Sequence, residues 1–431
     1  MEETTYKYSK YNIELESDTE GNEDEVTIFN TYTSKYITLE KEVVEDLKGE
    51  TDISEGDFPD YLIPLGIFVP STLDEYARVK SESSCFVHRN TSLQFVIMLS
   101  DNCNYHCVYC FESNQLCKYG NMSVETQQDT INFILNECSK REQLEEVRIQ
   151  WFGGEPTLCP SIIVNISNAI MPYFESRNIK YEASIVTNGR FFNKEFMAKV
   201  QNCRISICQI TLDGMSKTYA KLKGCKESDF YAVIQNIKDL QDKLHIQIRI
   251  HINHNVEELK ELMHFIAKEK LKVGIYYQHI KDMDLTAEEY QEAFAYYVEE
   301  VKEFEKFLKD NDYTHYFDNR FFKYTCACPA NDSNRFAITN QGDLYRCPEQ
   351  LTNPTLKIGN IKEGVLNKEL DDYFVENNPL PNENLDCKNC QIYGHCFGKC
   401  CAERLNGKGV NCEAMKQLTI DRIKRLVFHK Y

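Results

Sequence analysis

The chain has 431 residues, of which 42% are hydrophobic and 27% charged, and a formal net charge of −18. That balance describes a globular protein, argues against a nucleic-acid partner because no basic surplus exists to displace counterions from phosphates, and suits attraction of a basic peptide. No apolar segment approaches a membrane span and the acidic first residues lack the basic and apolar parts of an export signal, so the sequence reads as cytoplasmic, with two or three domains at roughly 150 residues each.

Residues 1 to about 90 form an opening block. Tyr11–Glu16 and Val26–Leu39 have strand composition, with an acidic turn between them, and Glu40–Lys48 has the period of a short amphipathic helix. Tyr61–Val69 reads as a helix running into a strand, punctuated by Pro64 and Gly66. From Leu93 the pattern alternates strand and helix, which is the mark of parallel βα units. Strands are expected at Leu93–Ser100, Val147–Trp151, Tyr181–Val186, Arg204–Leu212, Ile246–Asn253 and Val273–His279. In the first intervening helix Ser123 is placed as N-cap, and Val124, Ile131, Leu135 and Cys138 share one face. Six units are too few for a closed eightfold barrel, so an open partial barrel is expected, its site built by loops at the carboxyl ends of the strands. Leu285 to Asp310 reads as a long acidic helix with a solvated face.

The loop after the first of these strands holds Cys103, Cys107 and Cys110 in a C-x3-C-x2-C pattern, with Tyr109 before the last cysteine. Three thiolates on one short loop can hold three irons of a 4Fe-4S cube and leave the fourth iron open. A zinc knuckle is the competing reading, but no fourth cysteine or suitably spaced histidine completes it locally. The loop after the second strand reads Gly153-Gly154-Glu155-Pro156, where a glycine pair admits close backbone approach and a carboxylate can hold an ammonium group; by itself it is an ordinary tight turn. Thr187-Asn188-Gly189 follows the third strand and Leu212-Asp213-Gly214 the fourth. Arg249 and Asn253, four apart on the fifth strand, point to the same face.

Nineteen cysteines in a chain read as cytoplasmic ask for a reason other than disulfides, and nine crowd the last quarter. Cys328 is followed by thirteen residues, Gly342, four residues and Cys347, with a β-hairpin expected around Gly342. Cys387-x2-Cys390-x5-Cys396-x3-Cys400 and a final Cys412 come after it. A zinc ribbon is the competing reading for these spacings. Cys401 reads as a bystander to Cys400.

Taken together, the three-cysteine loop, the Gly-Gly-Glu-Pro loop and the C-terminal cysteine spacing resemble the radical S-adenosylmethionine (SAM) enzymes that carry the seven-cysteine extension called SPASM, of the peptide-maturase type. The resemblance covers roughly residues 93 to 412. It implies an α/β fold: a partial (β/α)6 TIM-like barrel over residues 91–310, a cysteine-rich iron-sulfur domain over 311–431, and a winged-helix-like peptide-recognition domain over 1–90, for which a simple cap on the barrel is the alternative. It implies that Cys103, Cys107 and Cys110 hold a SAM-binding cube, and that Cys387, Cys390, Cys396 and Cys412 hold an auxiliary one. A further auxiliary cube would use Cys347, Cys400 and one or both of Cys326 and Cys328. SAM itself would be met by Gly153, Gly154, Glu155, Pro156, Thr187, Asn188 and Tyr109, with Arg249 or Asn253 toward its carboxylate. The family often continues after Leu-Asp-Gly with His-Asp and an arginine, where this chain has Tyr219, Ala220 and Lys223, and lysine lacks the bidentate fork of arginine. The implied partners are a precursor peptide with a leader and a flavodoxin- or ferredoxin-type electron donor. The implied activity is radical crosslinking of that peptide, a thioether to cysteine first and a carbon-carbon bond next, with maturation of a sulfatase residue to formylglycine as the alternative.

Overall fold

The computed structural model describes residues 4–16, 24–48, 53–54, 59–113, 117–280, 285–317, 328–377 and 386–428. Contacts divide the chain into two compact units: Met1–Val87 with Asn319–Asn331 and Glu376–Tyr431, and His88–Asp318 with Asp332–Val375. The stretch read as one block over 311–431 is therefore shared between them.

The first unit opens with β1 (Thr5–Tyr8), β2 (Asn12–Glu16), β3 (Glu25–Asn30), β4 (Lys35–Glu40), β5 (Ile53–Ser54) and β6 (Phe68–Pro70), with helices Lys41–Lys48, Leu62–Leu65 and Glu75–Val87. Strands β2, β3 and β4 form an antiparallel meander, while β5, β1 and β6 form a second small sheet. The stretch Val26–Leu39, read as one strand region, is a hairpin: β3 pairs with β4 in register Phe29↔Tyr36, and Ser34 takes a positive φ in the turn. Alternation along β3 sends its side chains to two covered faces, so every residue from Val26 to Asn30 is buried. Val26 and Ile28 face a core with Val44, Ile53, Leu62 and Phe68. Phe29 faces the other way, into a core with Ile13, Leu15, Ile392, Ile423 and Val427. The last two belong to helix Cys412–Phe428, so the meander is sandwiched between its own helices and the end of the chain. Hydrogen bonds from Thr31 to the Gln391 carbonyl and from Gln391 to the Asn12 carbonyl, with the Tyr76–Tyr393 ring contact, join the same two segments.

The second unit holds β7 (Ser92–Met98), β8 (Glu146–Phe152), β9 (Lys180–Thr187), β10 (Ile205–Thr211), β11 (His245–Ile252) and β12 (Gly274–His279), all parallel and adjacent in that order. Helices Val124–Ser139, Pro160–Ser176, Lys194–Lys199, Ser216–Lys223 with Glu227–Leu240, and Val256–Lys268 connect them, and Ala287–Asp310 follows β12. This is the expected open six-unit barrel. Its other edge is extended by β13 (Arg335–Ile338), parallel to β7, and then by β14 (Asp343–Tyr345), β15 (Gly359–Asn360) and β16 (Gly364–Val365), making ten strands in all. The expected hairpin around Gly342 is thus a continuation of the barrel sheet. Ser123 caps helix Val124–Ser139 through the Thr126 N–H, as expected. Val124 stands exposed in its first turn and Leu135 is half-buried, while Ile131, Phe133, Ile134 and Cys138 are buried and Phe133 meets Phe95 of β7. The acidic helix Ala287–Asp310 buries Tyr290, Phe294, Tyr297, Val301, Phe304 and Leu308 as a helical stripe, and Glu300 is buried with them, accepting from the His254 N–H at 3.0 Å.

Candidate active site

The loop between β7 and helix Val124–Ser139 is held by backbone bonds from several sides. Leu99 N–H bonds the Phe152 carbonyl at 3.0 Å, and the Asp101 carboxylate takes the N–H groups of Tyr119 and Gly120 at 2.6 and 2.7 Å. Within the cysteine stretch, His106 N–H reaches the Lys223 carbonyl at 3.0 Å and Val108 N–H the Leu222 carbonyl at 2.9 Å, so the loop lies against the end of helix Ser216–Lys223. Gly224 makes that approach possible: its φ is +61° and a Cβ there would meet the His106 oxygen at 2.8 Å.

Cys103, Cys107 and Cys110 are each half-buried. Burial pushes the Cys103 thiol up to about 12 and Cys110 to about 11, raises Cys107, and the charges of the companion thiolates add to the rise at Cys103 and Cys110. Three half-buried thiols on one loop are a donor set that the charge of an iron cluster would complete. Tyr105 N–H points at Cys103 Sγ from 3.4 Å, the kind of N–H to sulfur contact that stabilises a ligated thiolate. Among the described residues no group of three or more His, Cys, Asp or Glu side chains gathers as around a single ion. A cube asks for something else, one thiolate at each iron corner.

The Gly-Gly-Glu-Pro turn after β8 lies on the cysteine loop. Glu155 N–H bonds the Asn102 carbonyl at 2.8 Å, a Cβ on Gly154 would stand 2.2 Å from that same oxygen, and one on Gly153 would stand 2.1 Å from the Met98 side chain. Only glycine fits at either position, with φ of +86° and +41°. Glu155 is fully buried, and Oε1 accepts from Thr157 N–H (2.9 Å), Thr157 Oγ1 (2.5 Å) and Thr187 Oγ1 (2.6 Å) while Oε2 accepts from Asn188 N–H (2.8 Å). Burial raises this carboxyl and the four donors oppose the rise; no cation takes part among the described residues. Oε2 keeps acceptor capacity, which is what a substrate ammonium requires. Pro156, also buried, opens the turn Pro156–Leu158. Asn188 in turn donates to Asn104 Oδ1 at 2.9 Å, and its amide nitrogen lies 4.0 Å from Cys103 Sγ. The structure therefore brings the cysteine loop, Gly153 to Pro156, Thr187 and Asn188 into one hydrogen-bonded cluster at the carboxyl ends of β7, β8 and β9.

The remaining expected contacts are placed differently. Arg249 Nη2 goes to Gln278 Oε1 (2.9 Å) and Glu349 Oε1 (3.4 Å), and Asn253 is exposed just past the end of β11. Between them, His251 is buried and sits beside Tyr109, with ring centroids 5.1 Å apart. Alternation along the strand puts 249, 251 and 253 on one face, so this residue was within reach of the sequence. The Tyr109 phenol donates to Asp213 of the Leu-Asp-Gly turn. Tyr219 is fully buried and donates to the Asn188 carbonyl at 3.3 Å, and Lys223 turns inward to Asp213, 3.7 Å away.

In the first unit Cys387, Cys390 and Cys396 are half-buried and Cys412 is exposed. Burial lifts Cys387 to about 12, followed by the charges of Cys396, Cys390 and Cys412, which places four thiols within electrostatic reach of one another. Cys412 begins helix Cys412–Phe428, where the positive end of the dipole favours a thiolate. Four thiols form a closed donor set for a cube. Cys401 is buried with the Asn331 amide 3.6 Å from its sulfur, in keeping with a structural role. Of the remaining expected ligands, Cys328 and Cys400 belong to the first unit, Cys347 to the second, and Cys326 lies outside the described residues.

The open parallel barrel, with a three-thiol loop after its first strand and a glycine-carboxylate turn beside it, lies where a family model matches: residues 97–266 match the family described as the Radical SAM superfamily. The chain is 25% identical over 365 residues to a cysteine-type anaerobic sulfatase-maturating enzyme of Clostridium novyi, covering 76% of this chain and 94% of the relative. It is 23% identical over 337 residues to the radical SAM cyclopropyl synthase TigE of Paramaledivibacter caminithermalis, covering 70% and 66%. Among solved structures, native anSMEcpe with bound AdoMet is similar in fold, with a TM-score of 0.57 at 16% identity over 78% of this chain and 98% of that one. SuiB of Streptococcus suis bound to S-adenosylmethionine gives a TM-score of 0.51 at 16% identity over 95% of this chain and 97% of that one.

Proposed function

We propose that the protein is a peptide maturase that forms a thioether in a ribosomally made precursor peptide. When bound, SAM and the barrel cube supply a 5'-deoxyadenosyl radical, and auxiliary cubes accept the electron that an oxidised product must lose. Cys103, Cys107 and Cys110 would hold three corners of the barrel cube. Glu155 Oε2, buried and still able to accept, would take the ammonium of the SAM methionine, and the side-chain-free backbone of Gly153 and Gly154 would admit that group. In the net reaction a C–H and an S–H bond of the peptide break and a C–S bond forms. The balance would be one hydrogen atom removed by the radical that the bound group would supply, the thiol hydrogen lost as a proton, and one electron given up to an acceptor.

The observation that carries the peptide reading is the meander of the first unit. Its outer strand β4 has only β3 as a partner among the described residues and is exposed along most of its length. An extended leader can add to such an edge through main-chain hydrogen bonds. A meander followed by short helices also suits the winged-helix expectation. The test is to incubate anaerobically reconstituted protein with SAM, a reductant and the cysteine-containing peptide encoded nearest to its gene. A product that has lost a free thiol but kept its sulfur supports the proposal. The second reading, formylglycine formation, is favoured by the similarity along 94% of the Clostridium novyi sulfatase-maturating enzyme. It predicts a product that has lost the cysteine sulfur, obtained from a sulfatase-derived peptide.

A further inference from the structure

Tyr109 lies between two cluster cysteines, and its phenol is tied down by residues from three other elements. Asp213, on the turn after β10, accepts from the phenol through Oδ2. Its Oδ1 takes the His251 backbone N–H at 2.9 Å and faces His251 Nδ1 at 3.0 Å. Lys223, the last residue of helix Ser216–Lys223, brings Nζ to 3.7 Å from Asp213 Oδ2 and 5.0 Å from the centre of the Tyr109 ring. Asp213, Lys223 and His251 are all buried. The carbonyls of Leu222 and Lys223 are also the ones that receive the Val108 and His106 N–H groups. One helix end therefore grips the loop twice, by backbone on one side and through a charge pair and an aromatic ring on the other.

We infer that Asp213 and Lys223 are a positioning pair that holds the cysteine loop in its ligand-presenting shape before metal arrives. The cysteine stretch meets this helix end at the backbone of His106 and Val108 and at the Tyr109 side chain, so its order in the metal-free chain depends on how firmly that helix end is held. A buried pair of opposite charges does this sharply, because losing one member strands the other without compensation, whereas losing both is mild. The inference rests on the reading of Cys103, Cys107 and Cys110 as cluster ligands, but its test does not require a cluster.

Amide hydrogen exchange is measured on the metal-free full chain, at His106 and Val108 in the loop and in β8 and β9 as reference. Asp213→Asn and Lys223→Met are each expected to speed loop exchange about tenfold or more with the strands unchanged, and the double variant to return to within about threefold of the parent. Tyr109→Phe, which removes only the phenol anchor, should give a smaller rise and stands in if a charge variant does not fold. Iron uptake by the barrel site on anaerobic reconstitution should slow in the single variants and recover in the double one. Single variants that exchange like the parent, a double variant no better than the singles, or exchange that rises equally through β8 and β9 would each overturn the inference. Failure of every variant and of the parent to take up iron would instead sink the radical reading and leave the pair in place.

Discussion

Replacing Phe29 by alanine should be felt at four cysteines far away in sequence. Phe29 is fully buried in a cluster with Ile13, Leu15, Ile392, Ile423 and Val427, against which Cys390 and Cys396 also pack. A buried phenylalanine cut to alanine costs about 3–5 kcal/mol, and a domain has about 5–15 kcal/mol to lose. For a unit of this size each kcal/mol lowers the unfolding midpoint by about 2–4 °C, so a drop of roughly 6–20 °C is expected in the metal-free chain for the transition that includes the first unit. Exchange in helix Cys412–Phe428 should accelerate with it. In a background where Cys103, Cys107 and Cys110 are alanine, the C-terminal site should retain less iron after mild chelation, because ligation energy and folding energy are one quantity there. If the midpoint falls but helix Cys412–Phe428 keeps its protection and its iron, the shared core does not couple the two segments and this reasoning is wrong. For the same reason, deleting residues 1–87 does not isolate peptide recognition, since it also strips apolar partners from the C-terminal helix.

Three other outcomes follow from the site. Alanine at Cys103, Cys107 and Cys110 together should remove about four irons per chain, one cube by formula, and abolish SAM cleavage while the C-terminal iron stays; metal analysis and 5'-deoxyadenosine release check it. Cys347→Ala, once shown to retain the barrel cluster, should still move deuterium from a labelled peptide into 5'-deoxyadenosine but release uncrosslinked peptide; normal crosslinking would make that cysteine structural. Asp213 is lowered from its ordinary 3.8 to about 2, burial being outweighed by Lys223 and His251. A depressed carboxyl contributes stability that is present above its unfolded value and lost as pH falls toward its folded one. The window is thus about pH 4 down to about 2, and the size about 2 kcal/mol, which Asp213→Asn should remove from the acid limb of the metal-free chain's stability profile.

The barrel was readable because its strands alternate buried residues with less buried ones, as Tyr181, Ala183, Ile185 and Thr187 do along β9, and because the first four end in distinctive loops. The glycines after β8 were readable for their lack of a side chain, but not the reason, since only the folded chain shows the Asn102 carbonyl and Met98 filling that space. Helix Glu75–Val87 gave little signal: Glu75, Val79 and Val87 are its buried residues, too few for a helical stripe. Lys223 looked like a weakened arginine, and only its inward turn toward Asp213 reveals a different use. The division into units was beyond any local pattern, resting on pairs such as Lys10 with the Lys388 carbonyl, 378 residues apart. No periodicity over tens of residues encodes such a pairing.

The order of synthesis gives the discontinuous first unit a cost in time. Its opening segment ends at Val87 and its closing segment begins at Glu376, so the ribosome adds nearly 290 residues between them. At about 5–20 residues per second that is roughly 15–60 s. Throughout that delay Ile13, Leu15 and Phe29 have no Ile392, Ile423 or Val427 to meet. A nascent chain in this condition shows an apolar sheet face to the cytosol while the barrel is still being made, which is the situation in which holding chaperones act. Slow translation should therefore lower the soluble yield of this protein, and a circular permutant that makes residues 376–431 directly before residue 1 should be spared.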